Sequence, residues 1–187
     1  MDDAGLTPEL LAFLREAADR QAILDCIHRY TRGVDRADRE LMLSAYHPDA
    51  RDEHGVANLG AAAFVDWALG WHGEYQTRHQ HIVTNHTVEL SGETAHAETY
   101  YTFWGLNKEG PPTLAFGRYI DRFEKRGGKW AIAHRVCVNE VIGKFDLVDL
   151  PAEWRDAAAS TGPVARDKTD ISYQRPLSTG LAGANAP

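Results

Sequence analysis

The spacing of apolar residues changes near Tyr75, and this change constrains the fold more than any other feature of the sequence. Before it, apolar residues recur at helical spacing, as in Ile23, Ile27, Tyr30 and Val34. After it, the stretch RHQHIVTNHTVEL is rich in β-branched residues, and further strand-like runs follow. Helices therefore come first and strands second, which predicts an α+β fold with helices packed on one face of a sheet.

Three helices are predicted in the first part of the chain. Thr7 and Pro8 form a helix start, with a capping hydroxyl followed by a proline in the first turn. A second helix is predicted over residues 38–46, with Asp38 as its N-cap, and the proline turn in HPDA ends it. A third helix is predicted over residues 60–71.

The second part of the sequence predicts a long antiparallel meander. The run TAHAETYYTFWGL forms one strand, and TLAFGRYIDRFEKR and KWAIAHRVCVNEV form a hairpin around Gly127 and Gly128. From about Gly143 the periodic signal fades into a segment rich in Gly, Pro, Ser and Ala. We therefore expect a domain over residues 1–150, then an arm and tail over 151–187 whose end is disordered.

Composition excludes several classes of partner. The chain has 187 residues and a formal net charge of −7, which disfavours nucleic acid and anionic membrane surfaces as partners. No apolar run approaches the roughly eighteen residues of a membrane span, and the acidic start MDDAGLTPEL does not resemble a signal peptide. Cys26 and Cys137 form no CxxC pair, so the expected location is the reducing cytoplasm.

Asp35 is the residue that local structure explains least well. On an ideal wheel it lies about 100° from the centre of the apolar stripe, at the border of the buried face. Gly33 permits the helix to loosen there. On the residues alone, Asp35 caps a helix or pairs with one of the three nearby arginines, which are Arg32, Arg36 and Arg39.

Several stretches resemble the SnoaL-like branch of the NTF2-like superfamily. IHRYTRGVDRADRELMLSAYHPDA is similar to its first two helices, HQHIVTNHTVEL to its next strand, and GRYIDRFEKRGGKWAI to its closing hairpin. The resemblance covers roughly residues 18–176. It implies a cone, in which three N-terminal helices pack on a strongly curved, mixed, mainly antiparallel sheet.

The resemblance also implies a lyase site. Scytalone dehydratase, bile acid 7α-dehydratase and a hexachlorocyclohexane dehydrochlorinase belong to this group. The last two carry an aspartate at the end of the first helix and a histidine on the strand, which Asp35 and His81 match. Tyr30 matches a tyrosine of the bile acid enzyme.

Those residue types suit elimination without a metal or organic cofactor. A neutral histidine removes a proton from carbon, and a carboxylate fixes its tautomer and stabilises the imidazolium that forms. We assign His81 as base, Asp35 as its orienting partner and Tyr30 as hydrogen-bond donor to the departing hydroxyl or a substrate carbonyl. In the alternative interpretation, Tyr30 is core packing and His81 a hydrogen-bonded strand histidine.

A hydrophobic ring compound is the predicted substrate. The expected substrate-binding residues are Trp67, Tyr100, Trp104 and Arg135, although aromatic residues at these positions also serve as core. Arg118 is an alternative to Arg135 if its strand parity points inward.

The other histidines of the strand receive structural assignments. His79 and His81 share one strand face, but no HExxH or second HxH motif supplies a further zinc ligand, so no metal site is predicted. His86 has the opposite parity unless a bulge intervenes, and is assigned a structural or surface role.

Two other functional classes stay open from the sequence. One is a non-catalytic ligand-binding protein or accessory subunit of the superfamily. The other is a polyketide cyclase or ketosteroid isomerase, since the same base can move a proton between carbons. A homo-oligomer, a trimer or dimer formed through the outer sheet face, is also expected, with the arm RDKTDISYQRP reaching a neighbour.

Overall fold

Three helices pack against one face of a six-stranded sheet in the computed structural model, which describes residues 5–159 and 164–177. The helices of the first half are α1 (Pro8–Asp35), α2 (Arg39–Leu43) and α3 (Ala61–Tyr75). The strands are β1 (Tyr46–Glu53), β2 (Asn58–Gly60), β3 (Gln76–Ser91), β4 (Thr94–Asn107), β5 (Thr113–Arg126) and β6 (Lys129–Lys144). A short helix α4 (Ala152–Ala159) and one 3-10 turn (Ile171–Tyr173) follow.

The sheet is mixed and mainly antiparallel, which confirms the predicted fold class. Its strand order is β2-β1-β6-β5-β4-β3, and β1 runs parallel to β6 while the other neighbours are antiparallel. The pairing register shifts within the β3–β4 and β5–β6 ladders. Such irregularities bend strands, so they help the sheet to curve around the helices as an NTF2-like cone.

Local signals at the start of the chain are confirmed. The Thr7 hydroxyl accepts a hydrogen bond from the backbone N–H of Leu10 at 3.3 Å, and Pro8 occupies the first turn of α1. The Asp38 carboxylate likewise accepts from the N–H of Leu41 at 3.1 Å and caps α2. The predicted apolar stripe of α1 is buried from Ile23 onward.

Three boundaries differ from the sequence prediction. The second helix stops at Leu43, and HPDA lies inside β1 instead of forming a turn. Pro48 is tolerated there because the β1–β6 register shifts between Tyr46 and Arg51, where a missing N–H breaks no ladder bond. The third helix continues to Tyr75.

Gly33 has a packing role, which corrects the expectation that it loosens α1. The residue is buried within the helix. A Cβ atom built at this position would overlap the backbone of Met42, the buried residue of α2. The lack of a side chain therefore allows α2 to lie directly against the end of α1, beside Asp35.

The arm packs on its own domain at the end of α1. The Tyr173 hydroxyl donates to Asp38 at 2.8 Å, and Arg32 lies 4.6 Å from the centroid of the Tyr173 ring. Arg36 pairs with Asp170 at 3.5 Å. The predicted disordered end, residues 178–187, lies outside the described residues.

No helix in the described ranges combines the length and apolar character needed to cross a bilayer. Cys26 and Cys137 are both free thiols.

Candidate active site

A cavity of about 440 Å³ lies between the helices and the sheet. Its walls are mainly aromatic and aliphatic, with a few polar side chains that face inward. They comprise Tyr30, Val34, His54, Val56, Phe64, Trp67, Ala68, Trp71, His72, His81, Tyr101, Phe103, Thr113, Ala115, Tyr119, Cys137, Asn139 and Ile142. A concave apolar site with few polar groups is typical of small-molecule binding.

The structure brings His81 and Asp35 together at this cavity. His81 Nδ1 lies 2.7 Å from Asp35 Oδ1, and the backbone N–H of His81 donates to both carboxylate oxygens at 3.1 Å. Asp35 is the last residue of α1 and is buried, whereas His81 lies on β3 and lines the cavity. One carboxylate thus fixes both the strand backbone and the imidazole ring.

This contact determines the tautomer of the neutral imidazole. A carboxylate oxygen only accepts hydrogen bonds, so Nδ1 of His81 carries the proton. The lone pair is then on Nε2, which is the atom able to accept a proton. The Phe103 ring lies 4.9 Å from the His81 ring, centroid to centroid, and supplies an apolar wall beside it.

The three arginines near Asp35 in the sequence bind elsewhere. Arg39 forms a two-point pair with Asp66, and Arg32 donates to the Ser172 carbonyl at 3.1 Å. Arg36 pairs with Asp170 and donates to the backbone carbonyl of Asp35 at 3.2 Å, not to its carboxylate. Surface ion pairing therefore does not account for the Asp35 side chain.

Tyr30 lines the cavity from α1 but is deeply packed, with 2% of its surface exposed. Its ring meets Tyr46 and Tyr119 edge-on, and the Arg135 guanidinium lies 4.2 Å from its centroid. Burial, reinforced by the negative charge of Asp52, raises the pKa of the Tyr30 hydroxyl, so the group stays protonated and can donate.

Two further histidines stand beside His81. His72 Nδ1 donates to Gln76 Oε1 at 2.8 Å, and His79 Nε2 donates to the Val34 carbonyl at 3.1 Å. Their rings stack with centroids 4.1 Å apart. Burial lowers the pKa of His72 to about 3 and that of His79 to about 2, so both stay neutral near pH 7.

Asp35, His79 and His81 also place three potential metal-ligand atoms within 4.8 Å of one another. The 2.7 Å separation between His81 Nδ1 and Asp35 Oδ1 is a hydrogen-bond distance. Two ligands of a tetrahedral zinc ion stand about 3.3 Å apart, given Zn–N and Zn–O distances of about 2.0 Å. The ligand atom on His79 already donates to Val34. The arrangement therefore fits a hydrogen-bonded set better than a metal centre.

A second His–Asp pair faces the same cavity, and the sequence reasoning missed it. His54 Nδ1 is hydrogen-bonded to Asp52 Oδ1, and the Tyr46 hydroxyl donates to Asp52 Oδ2 at 2.5 Å. His54 lines the cavity and stacks on Phe64 with ring centroids 4.6 Å apart. The available signal was the Asp-x-His spacing, because extended backbone directs side chains two residues apart to the same side. His54 directly follows the end of β1 at Glu53.

A small polar cluster lies beside this second pair. The Tyr101 hydroxyl donates to Asn139 Oδ1 at 2.5 Å, and Cys137 Sγ lies 3.6 Å from the same hydroxyl. All three side chains line the cavity. They provide the sheet wall with donors and acceptors among otherwise apolar groups.

Of the four predicted substrate-binding residues, only Trp67 lines the cavity. Tyr100 and Trp104 lie on the opposite face of β4, where Tyr100 is exposed and the Trp104 indole donates to Gln80 at 3.0 Å. The adjacent inward positions are Tyr101 and Phe103. Aromatic residues occupy both faces of YYTFW, so composition alone could not show which of them point toward the cavity.

Arg135 points inward but does not line the cavity. Its guanidinium is fully buried and makes a two-point pair with Asp121, with both contacts at 2.7 Å. Burial opposes the charge, yet Asp121 outweighs it and raises the pKa of Arg135. Arg118 instead pairs with Glu98 and Glu140 at 2.6 Å, outside the cavity lining.

His86 shows the effect of a bulge that the sequence analysis allowed for. The β3–β4 register shifts between Val83 and His86. The shift reverses the expected parity, so His86 Nδ1 lies 2.8 Å from the hydroxyl of the buried Thr99. It is not among the residues that line the cavity.

The family model of the SnoaL-like domain matches residues 15–136, well over half of the chain. The chain belongs to the SnoaL-like family. No curated protein matches its sequence.

Solved structures share the fold at low sequence identity. Hexachlorocyclohexane dehydrochlorinase LinA-type3 from Novosphingobium barchaimii LL02 is 21% identical, with a TM-score of 0.65 over 74% of this chain and 97% of its own. A scytalone dehydratase candidate from Novosphingobium aromaticivorans DSM 12444 is 18% identical, with a TM-score of 0.64 over 71% of this chain and 91% of its own. At these identities the likeness establishes the NTF2-like fold.

Proposed function

We propose that this protein is a cofactor-independent lyase that eliminates water or halide from a hydrophobic ring compound. The observation that carries the proposal is the 2.7 Å hydrogen bond from His81 Nδ1 to Asp35, made at the wall of an apolar cavity of about 440 Å³. The dehydrochlorinase and the dehydratase candidate with this fold support the same reaction class.

His81 is the general base in this proposal. Its Nε2 accepts a proton from a ring carbon, the C–H electron pair forms the new double bond, and the leaving group departs with its own pair. Asp35 holds the Nδ1–H tautomer and stabilises the imidazolium that results, as the aspartate of a catalytic triad does.

The surroundings of His81 favour this proton transfer. His72 and His79 remain neutral beside it, so neither of them adds a positive charge next to the incoming proton. Tyr30 stays protonated and can donate to an oxygen of the substrate from α1. An apolar lining strengthens both interactions because it excludes water.

The cavity also supports an enzyme over an accessory subunit. It contains free volume, and a polar pair with complementary roles faces that volume. An isomerase or cyclase would use the same base, so only the products separate these reactions from elimination.

The test is a product screen with paired substrates. Hydroxylated and halogenated ring ketones are incubated with the protein in the presence of a chelator, and products are identified by mass spectrometry. The proposal is supported if the wild type eliminates water or halide from the substrate and the His81→Gln variant eliminates little of either. Products isomeric with the substrate would replace it with isomerisation, and binding without turnover would indicate a binding protein.

A matched control separates catalysis from general damage. His134 is a surface histidine that contacts Glu53 at 2.9 Å, away from the cavity. His134→Gln should therefore turn over substrate like the wild type.

A further inference from the structure

The second His–Asp pair has the features of an acid, not of a second base. Asp52 is fully buried, and the His54 side chain keeps 18% of its surface exposed. Because His54 lines the cavity, this exposed part of the ring faces the space that a substrate would occupy. A pair that served packing alone would not need to present the ring there.

The contacts of Asp52 favour a charged His54. The carboxylate accepts from the Tyr46 hydroxyl and from His54 Nδ1, and it has no contact with solvent. A buried carboxylate is strongly stabilised by an adjacent cation. Burial by itself would lower the pKa of His54, but its contacts with Asp52 and Cys137 outweigh that effect and raise the pKa to about 9.

Other titratable groups around His54 come from four elements. Asp52 is on β1, Cys137 on β6, Tyr119 on β5 with a ring 6.2 Å away, and His72 on α3. Burial keeps His72 neutral, and burial also raises the pKa of Tyr119 well above its usual value. Asp121, also on β5, interacts with His54 as well, but its carboxylate is paired with Arg135 of β6. Asp52 is thus the carboxylate in direct contact with His54.

We propose that His54, held as an imidazolium by Asp52, is the general acid that protonates a leaving oxygen, so that the natural substrate is an alcohol. The proposal deepens the function proposed above and rests on it. Asp52 acts here as a positioning residue, because it reaches the reaction only through His54.

The step conserves protons and electrons. His81 Nε2 takes the proton from the ring carbon beside the ketone carbonyl, and the C–H pair forms an enolate, which becomes the C=C bond when the leaving group departs. The C–O bond breaks with its pair on oxygen, and the Nε2 proton of His54 converts that oxygen to water. His81 ends protonated and His54 neutral, and exchange with solvent water resets both.

A halide leaving group provides the discriminating comparison, because chloride departs as an anion without a proton. The probes are a β-hydroxy cyclic ketone and its β-chloro counterpart, which differ only in the leaving group. His54→Gln should lower kcat for dehydration by about 10²–10⁴-fold, the usual contribution of general acid catalysis. It should lower kcat for dehydrochlorination by less than about tenfold.

Asp52→Asn supplies a second readout that a packing role would not move. In the wild type, kcat for dehydration should fall above the pKa of His54, at about pH 9. Removing the carboxylate charge should move this alkaline limb down by about two pH units, toward the ordinary histidine value. NMR titration of the His54 ring, without substrate, should show the same shift.

The outcomes distinguish the two proposals. Equal losses for both leaving groups in His54→Gln, or an alkaline limb that stays in place in Asp52→Asn, would overturn the acid role and leave the lyase intact. A wild type that turns over neither probe would remove the lyase and the acid role together.

Discussion

The pairs His81–Asp35 and His54–Asp52 use the same two side-chain types at one cavity, yet their surroundings differ. Asp35 distributes its charge over the backbone N–H and the ring of His81, and the neighbouring histidines are neutral. Asp52 has no exposed surface, and its described side-chain hydrogen bonds come from the Tyr46 hydroxyl and His54. The environment of His81 suits an imidazole that gains a proton during the reaction. The environment of His54 suits an imidazole that is protonated before the reaction begins.

This difference shows why residue type does not assign an acid or a base. Burial lowers the pKa of His72 and His79, whereas the contacts of His54 with Asp52 and Cys137 outweigh burial and raise its pKa. The buried Arg135–Asp121 pair adds a third case, since it lies outside the cavity lining and its two opposite charges face one another.

Loss of the base should have the largest effect on activity. His81→Gln and Asp35→Asn should each lower kcat by about 10²–10⁴-fold, because each removes the oriented base. Circular dichroism should show a folded protein in both cases. An unchanged turnover rate in either variant would refute the role of this pair, and His134→Gln serves as the control.

Breaking the buried ion pair should have the largest effect on stability. Arg135→Met leaves the Asp121 carboxylate buried without its partner, which should cost about 3–5 kcal/mol in the free energy of unfolding. Urea titration measures the change. The double variant Arg135→Met with Asp121→Leu should recover most of it. A loss below about 1 kcal/mol in the single variant would contradict a structural role.

Stability should fall on both sides of neutral pH. The pKa of His54 rises from 6.5 to about 9 on folding, so its contribution is present below about pH 6.5 and lost as pH rises through about 9. The loss is on the order of 3 kcal/mol, at 1.36 kcal/mol per pKa unit. Urea midpoints measured across this range should decrease in the wild type and change much less in Asp52→Asn.

Below neutral pH, the unfolding free energy should fall as the pH decreases. The pKa values of His72 and His79 fall on folding, so their contribution is present above about pH 6.5 and is lost as pH falls toward about 3. The variant His72→Gln should therefore flatten part of this acid limb. A stability that stayed constant from about pH 7 to 4 would contradict neutral buried imidazoles.

Removal of one arm contact should have a smaller effect. Tyr173→Phe deletes the hydroxyl that donates to Asp38 at 2.8 Å and should destabilise the protein by about 1 kcal/mol. Tyr100→Phe is the matched control, because Tyr100 is exposed on the outer sheet face and should change the unfolding free energy by much less. Equal effects of the two variants would contradict a stabilising arm contact.

Self-association through the outer face of the sheet should have the smallest effect on the cavity. Ile82 and Phe116 flank Thr102 on the outer face of the sheet and are 44% and 42% exposed. We expect this face to join copies of the chain as a dimer or trimer, detected by light scattering, and Phe116→Lys to shift the mass toward the monomer. A monomeric wild type would contradict the expectation.

The sequence predicted the parts of the site that local periodicity encodes. The change from helical to strand spacing gave the α+β order, and helical spacing placed Asp35 at the border of the buried face of α1. The pairing of Asp35 with His81 was expected from the family resemblance, not from periodicity. The alternation of β3 placed His79 and His81 on one face, as observed. These features depend on neighbours within a few residues.

The missed features depend on distant partners. YHPDARDE has few β-branched residues, and it becomes β1 because it pairs in parallel with β6 about eighty residues later. The role of Asp52 follows from that pairing, and so does the second pair. The bulge that turns His86 inward also has no local signal, since it arises from the β3–β4 register.

Hydrogen exchange at the substrate carbon tests the central claim most directly. In D₂O, the wild type should exchange the acidic ring hydrogen of a β-hydroxy cyclic ketone for deuterium or eliminate water from the ketone. Proton NMR measures both reactions. His54→Gln should retain the exchange while losing most elimination, and His81→Gln should lose both. Exchange at the wild-type rate in His81→Gln would contradict proton abstraction by His81, and with it the assignment of this cavity as a lyase site.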